Sequence, residues 1–133
     1  MFVDASAIVA ILTAEPEAGR FSDLLEKATR RITSPIAVFE AALGLCRKRH
    51  ASVAEAEADV QEFLALAAID CVSITAEDSH IALNAFARYG KGTAHPAQLN
   101  LADCFAYAAA CNRNLPLLFK GDDFTKTDIE AAA

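Results

Sequence analysis

Short apolar runs alternate along the chain with longer stretches in which apolar positions recur every three or four residues. Residues 1–4 are apolar until Asp4 and predict a buried strand whose C-terminal end carries that acid. A helix over 5–12 follows, with Asp4 as its N-cap. Pro16 opens a second helical stretch, 18–28, in which Phe21, Leu24, Leu25 and Ala28 share a face. Ile32 and Thr33 favour a short strand over 31–34. Ser34-Pro35 then supplies an N-cap and a first helical residue for a helix reaching Arg49. Residues 52–68 are strongly amphipathic, with Val53, Ala56, Val60, Phe63, Leu64 and Ala67 on one side and Glu55, Glu57, Asp59 and Glu62 on the other. A strand over 69–74 comes next. Thr75 with Asp78 resembles a capping box and starts a helix to Tyr89. Two glycines and a proline make 90–97 a loop. The most apolar helix covers 100–112, Asn114 breaks it, and 116–119 is the last strand. Gly121-Asp122-Asp123 turns the chain into a short terminal element.

Strands alternating with helices predict an α/β fold with a parallel, short-stranded sheet, in which working residues gather at the C-terminal ends of strands. No repeat or linker interrupts the 133 residues, so the expectation is one domain spanning 1–133. A hydrophobic content of 54% with only 5 Gly and 4 Pro excludes a disordered chain. No apolar run approaches the ~20 residues of a membrane span, and no secretory leader is visible, so the expected compartment is the cytoplasm. Cys46, Cys71, Cys104 and Cys111 form no CxxC pair and read as reduced core residues. The net charge of −6 argues against an open basic nucleic-acid surface, but leaves room for a local basic rim around an acidic site.

The informative residues are acids in apolar company. Asp4 ends the first strand, Glu40 and Asp103 lie inside apolar helical segments, and Asp122 and Asp123 follow the last strand. Each has an ordinary reading alone: an N-cap, a half-exposed helical acid, a turn. Together they differ. In a parallel sheet Asp4 and the turn after Phe119 share one edge, and the helices holding Glu40 and Asp103 begin at that edge. Carboxylates so gathered repel one another or take up protons unless a cation joins them. Oxygen-only ligands suit Mg²⁺, with Mn²⁺ as a substitute, and phosphoryl chemistry.

At this point the chain resembles a PIN-domain ribonuclease, specifically a VapC-type toxin of a toxin–antitoxin pair. The likeness rests on Phe2-Val3-Asp4-Ala5-Ser6-Ala7 and on Glu40. It rests further on Tyr89-Gly90-Lys91-Gly92 with His95-Pro96-Ala97, Leu99-Asn100 and Asp103-Cys104-Phe105. Leu117-Leu118-Phe119-Lys120-Gly121-Asp122-Asp123-Phe124 with Thr127-Asp128-Ile129 completes it. The resemblance implies a PIN-like three-layer α/β/α fold and Mg²⁺-dependent endonucleolytic cleavage of RNA. It implies Asp4, Glu40 and Asp103 as metal-site acids, with Asp122 the first choice for a fourth and Asp123 the second. It also implies a VapB-type antitoxin as partner and a homodimer. Asp4 and Asp103 are expected on the metal, with Glu40 and Asp122 acting through water or on a second ion. Ser6 orients water or phosphate, or is simply a helix N-terminal residue. Lys120 and Lys91 are the expected RNA contacts. Arg47-Lys48-Arg49-His50 reads as a solvated helix end favoured by the macrodipole, and His95 as a loop residue. The competing reading is a catalytically weak module whose acidic pocket mainly binds a basic antitoxin tail.

Overall fold

The period of two along a strand decides how the sheet is covered. In the computed structural model, which describes residues 1–132, the strands are β1 (Phe2–Val3), β2 (Ile32–Thr33), β3 (Asp70–Cys71) and β4 (Leu117–Leu118). All pairings are parallel, in the order β3-β2-β1-β4. Phe2 stands opposite Ile32 and Leu117, and all three face one core; Val3 and its partner Leu118 face the other. The last residue of the expected tail, Ala133, lies outside the described residues.

Among the described residues six α-helices clothe the two faces. α1 (Ala5–Leu12), α2 (Ala18–Lys27), α3 (Pro35–Arg49) and α4 (Val53–Leu66) bury Ile8, Phe21, Leu25, Leu45, Val60 and Leu64 over Val3 and Leu118. α5 (Ala76–Tyr89) and α6 (Leu101–Asn112) cover Phe2, Ile32 and Leu117, and α6 presents a run of buried alanines from Ala108 to Ala110. The layers are therefore α/β/α, as the sequence predicts. The caps also match: Ser34 accepts from Ala37 N–H at 3.2 Å, and Ser52–Glu55 and Thr75–Asp78 form reciprocal capping boxes.

Two details differ from expectation. The strands are shorter than predicted, most of all β3, where a six-residue apolar segment yields two paired residues, both exposed. β3 is an outer strand of the sheet, so nothing beyond β2 extends its ladder. For the same reason Cys71 is exposed, and Cys111 faces out from the end of α6; only Cys104 is buried, with Cys46 intermediate. The opposite edge is covered: Leu117 N–H donates to Glu130 O and Ala132 N–H to Leu117 O, laying the C-terminal segment beside β4.

The chain steps from β1 to β2 to β3 in one direction and returns to place β4 on the other side of β1. The C-terminal ends of β1 and β4 thus form the switch point, the usual place for a ligand on such a sheet. Asp4 and residues 120–123 leave the sheet there. Among the described residues no helix is long and apolar enough to cross a membrane.

Candidate active site

Asp4 leaves β1 and caps α1, and only 5% of it is exposed. Its Oδ2 accepts from Ser6 N–H at 3.1 Å and from the Ser6 hydroxyl at 2.5 Å. Ser6 Oγ in turn accepts from Lys120 N–H at 3.0 Å, which ties the loop after β4 to the residue after β1. The Ser6 hydroxyl proton is committed to Asp4 in this structure, which fixes the orientation of that carboxylate. Burial raises the Asp4 pKa; the Ser6 hydrogen bonds oppose this, and the nearby Asp123 charge adds to the rise.

Glu40 reaches the same place from the second turn of α3. Burial, then repulsion from Asp4 and Asp103, pushes its pKa up to about 7, against the opposing charge of Arg47. Asp103 is the third residue of α6. It closes a capping box that the sequence reading did not foresee: Asn100 Oδ1 accepts from Asp103 N–H at 2.8 Å, and Asp103 Oδ2 from Asn100 N–H at 3.1 Å. Burial pushes the Asp103 pKa up to about 6; the Asn100 N–H works against this, while Asp4 and Asp123 add to it. All three acids line one cleft, so each feels the charge of the others.

The fourth acid lining that space is Asp123, whereas Asp122, the first choice from sequence, is not among the residues that line it. The local backbone explains the choice. Gly121 turns the chain with φ +103°, and Asp122 spends its carbonyl on Thr125 N–H at 3.1 Å. Phe124, 3% exposed and 5.1 Å from the Phe119 ring, then pins the 3-10 turn Asp123–Lys126. With that anchor, Asp123 faces inward.

The resulting cleft has a volume of about 420 Å³. Its acidic floor runs from buried Asp4 through half-buried Glu40 and Asp103 to exposed Asp123, and Glu15, Arg47, Lys48 and Lys120 also line it. Of the two expected RNA contacts, Lys120 lines the cleft and Lys91 does not; Lys91 sits on the exposed loop after α5. Arg47 and Lys48 correct the reading of the α3 end as merely solvated. The signal was available: Glu40, Gly44, Arg47 and Lys48 follow i, i+4, i+7, i+8, one stripe of a helix. Glu15, beyond α1, had no such signal.

The acids fit a hard cation. They are oxygen donors, and the raised pKa values of Asp4, Glu40 and Asp103 follow from burial and like charge that Ser6, Arg47 and Asn100 offset only in part. Among the described residues, no three His, Cys, Asp or Glu side chains close into a ready-made metal cage. Oxygen donors suit an ion such as Mg²⁺, which keeps several waters and takes only one or two carboxylates directly.

Known proteins resemble this chain in sequence and fold. The PIN domain family model matches residues 1–130. A VapC ribonuclease of Rhizobium meliloti is 41% identical over 96% of this chain and 98% of its own length. Ribonuclease VapC30 of Mycobacterium tuberculosis is 41% identical over 100% and 98%. Among solved structures, the Mycobacterium tuberculosis toxin VapC20, which cleaves the sarcin–ricin loop, superposes with a TM-score of 0.73 at 15% identity, covering 96% of this chain and 95% of that one. A toxin–antitoxin complex from Klebsiella pneumoniae gives 0.66 at 19% identity, covering 92% and 88%. These two show the fold, and the relatives at 41% identity show the lineage: the chain belongs to the PIN-domain family, in its VapC branch.

Proposed function

We propose that this protein is a divalent-metal-dependent endoribonuclease, the toxin of a toxin–antitoxin pair. The observation that carries the reading is the convergence of Asp4, Glu40, Asp103 and Asp123 from four separate elements into one cleft with cations around them, where burial raises the pKa values of Asp4, Glu40 and Asp103. The curated relatives named as VapC ribonucleases support it.

Asp4 and Asp103 are the residues to hold Mg²⁺, or Mn²⁺ in its place, with Glu40 and Asp123 joining through water. When bound, the ion supplies Lewis-acid activation of water and neutralises charge on phosphate. Ser6 keeps Asp4 oriented through its 2.5 Å hydrogen bond. Glu40, whose pKa is pushed up to about 7, is the group suited to take a proton from the attacking water. Arg47, Lys48 and Lys120 bind the RNA backbone, each contact adding to salt dependence.

A calorimetric Mn²⁺ titration beside an RNA-cleavage assay tests the reading. Saturable binding that Asp4→Asn abolishes, with cleavage lost in EDTA and in Asp103→Asn, is the expected result. Full cleavage by a clean Asp103→Asn preparation would sink the assignment.

A VapB-type antitoxin is the proposed protein partner, in keeping with the toxin–antitoxin complex among the fold neighbours. A basic antitoxin side chain placed among these acids lowers their pKa values as a metal does. The second reading, an acidic pocket that mainly binds such a tail with little catalysis, draws on the raised pKa values of Asp4, Glu40 and Asp103, which a cationic side chain would relieve. Metal-dependent turnover by the antitoxin-free protein separates the two. We also propose a homodimer, because the α3–α4 side leaves Phe39 67%, Val53 61% and Leu66 80% exposed. Sedimentation equilibrium of Leu66→Lys beside the wild type tests it, with a shift to monomer expected.

A further inference from the structure

We propose that Glu15 is a positioning residue that holds Lys48 and Lys120 together as a two-pronged phosphate clamp beside the acidic floor. The inference rests on the RNA-cleavage reading and extends it to a residue outside the acid set.

Glu15 lies just beyond α1. The helix ends with Ala14 in the left-handed region (φ +52°) and with Glu15 N–H donating to Ala10 O at 2.9 Å, which turns the next side chain into the cleft. There its two carboxylate oxygens part company. Oε1 accepts from the ammonium of Lys48, which arrives on α3, and Oε2 from that of Lys120, which arrives after β4. Only 12% of the Glu15 side chain is exposed, against 49% for Lys48 and 41% for Lys120. The carboxylate is thus sheltered between two cations that still face solvent. Glu17 Oε2 stands 3.3 Å from the Lys120 ammonium as well.

Two lysines on separate elements would otherwise repel each other and sweep freely on four-carbon stems. One shared carboxylate removes both obstacles before RNA arrives. An ammonium carries three N–H donors, so each lysine can keep Glu15 and still donate to a phosphate oxygen. Lys120 is also fixed through its backbone, whose N–H reaches Ser6, the residue that orients Asp4. The clamp and the acid floor are therefore built on the same loop, and a phosphate held by the lysines lies beside the carboxylates. Glu15 acts through the lysines and touches no reacting atom.

The test measures binding of a fluorescein-labelled, mixed-sequence single-stranded RNA to the full chain in an Asp103→Asn background, which prevents turnover. Glu15→Gln is expected to weaken binding about 3- to 10-fold, and Glu15→Asp to restore part of the loss. In a Lys48→Ala/Lys120→Ala background Glu15→Gln is expected to change nothing further, a signature a general structural role would not give. Each lysine substitution is expected to lower the slope of log affinity against log salt by about 0.7. Unchanged or tighter binding by Glu15→Gln, or equal weakening in both backgrounds, overturns the clamp. A second arm titrates pyrophosphate without metal and follows the Lys48 and Lys120 ammonium nitrogens by NMR. Shifts in the wild type that Glu15→Gln abolishes support the clamp, and shifts that persist overturn it. RNA cleavage with no Glu15 effect defeats the clamp alone. Pyrophosphate shifts with no RNA binding defeat the RNA reading alone.

Discussion

Asp4 has two ordinary explanations at the level of the single residue, and both hold. It is the N-cap of α1, accepting from Ser6 N–H, and it is also the most buried acid of the cleft. A capping side chain is held still by its helix, which is what a metal ligand requires. Ser6 supplies the second constraint. Removing its hydroxyl with Ser6→Ala leaves Asp4 one donor short in a buried position and frees the Lys120 N–H. The expected outcome is a fall in Mn²⁺ affinity of roughly 10- to 100-fold with the fold intact, read by calorimetry and circular dichroism. The choice between Asp122 and Asp123 shows where a sequence stops speaking. Two adjacent acids in a turn have the same composition and the same neighbours. Which one faces inward is set by the positive φ of Gly121 and the burial of Phe124, neither of which leaves a periodic trace. Asp123→Asn is therefore expected to cut RNA cleavage at least 10-fold, and Asp122→Asn to leave it within about 2-fold, in initial-rate assays. Equal losses would show that both acids serve the site.

Elements were legible wherever local chemistry decides them. Ser34-Pro35, Ser52 with Glu55 and Thr75 with Asp78 mark helix starts within a few residues, and those starts place Glu40 and the helices around the cleft. What the sequence hides is contact across distance. Asp78 completes a capping box and also, at 2% exposure, receives Arg113 Nη1 at 2.9 Å, Nη2 at 3.1 Å and Asn112 Nδ2 at 2.9 Å. This pairing fastens the start of α5 to the end of α6, the helix whose other end carries Asp103. Asp78→Ala leaves the Arg113 guanidinium, on a side chain only 15% exposed, without its partner. A loss of about 3–5 kcal/mol in denaturant unfolding is expected, by the mechanism of a broken buried ion pair. A second element-level test concerns helix ends. Ala68, exposed, follows α4 in the left-handed region at φ +53° and donates N–H to Ala65 O. Relief of left-handed strain, about 1 kcal/mol, outweighs the extra unfolded-state entropy of glycine, so Ala68→Gly is expected to raise stability by about 0.5 kcal/mol. A lower midpoint would show that this residue carries no strain.

Across the whole molecule, two sets of acids pull stability in opposite directions with pH. In the metal-free protein Glu40 titrates near 7 against an ordinary 4.5, Asp103 near 6 against 3.8, and Asp4 is also raised. A raised acid binds its proton more tightly folded than unfolded. Its charge therefore opposes folding once the pH exceeds the unfolded value, and the penalty grows until the folded value is passed. These three make the free protein lose stability as pH climbs from about 4 to about 7. Asp78 behaves inversely. Burial alone would raise its pKa, but hydrogen bonds from Arg113, Thr75 N–H and Asn112, with the Arg113 charge, hold it well below the usual carboxylate range. Its contribution is full above the ordinary carboxylate pKa and drains away as pH falls beneath it. The two slopes meet near pH 4, where the metal-free protein is expected to be most stable. A divalent cation competes with the protons of the cleft acids only, so it lifts the high-pH side and leaves the Asp78 side alone. Thermal scans in EDTA are expected to give a higher midpoint at pH 5 than at pH 8, and Mg²⁺ at about 100 times its dissociation constant is expected to add about 2.7 kcal/mol at pH 8 and far less at pH 5. Asp103→Asn removes one member of the repelling set, so its metal-free midpoint should fall less steeply with pH and respond little to Mg²⁺. A wild type more stable at pH 8 than at pH 5 in EDTA would mean that the cleft acids do not repel one another, and the physical case for a cation among them would fall with that result.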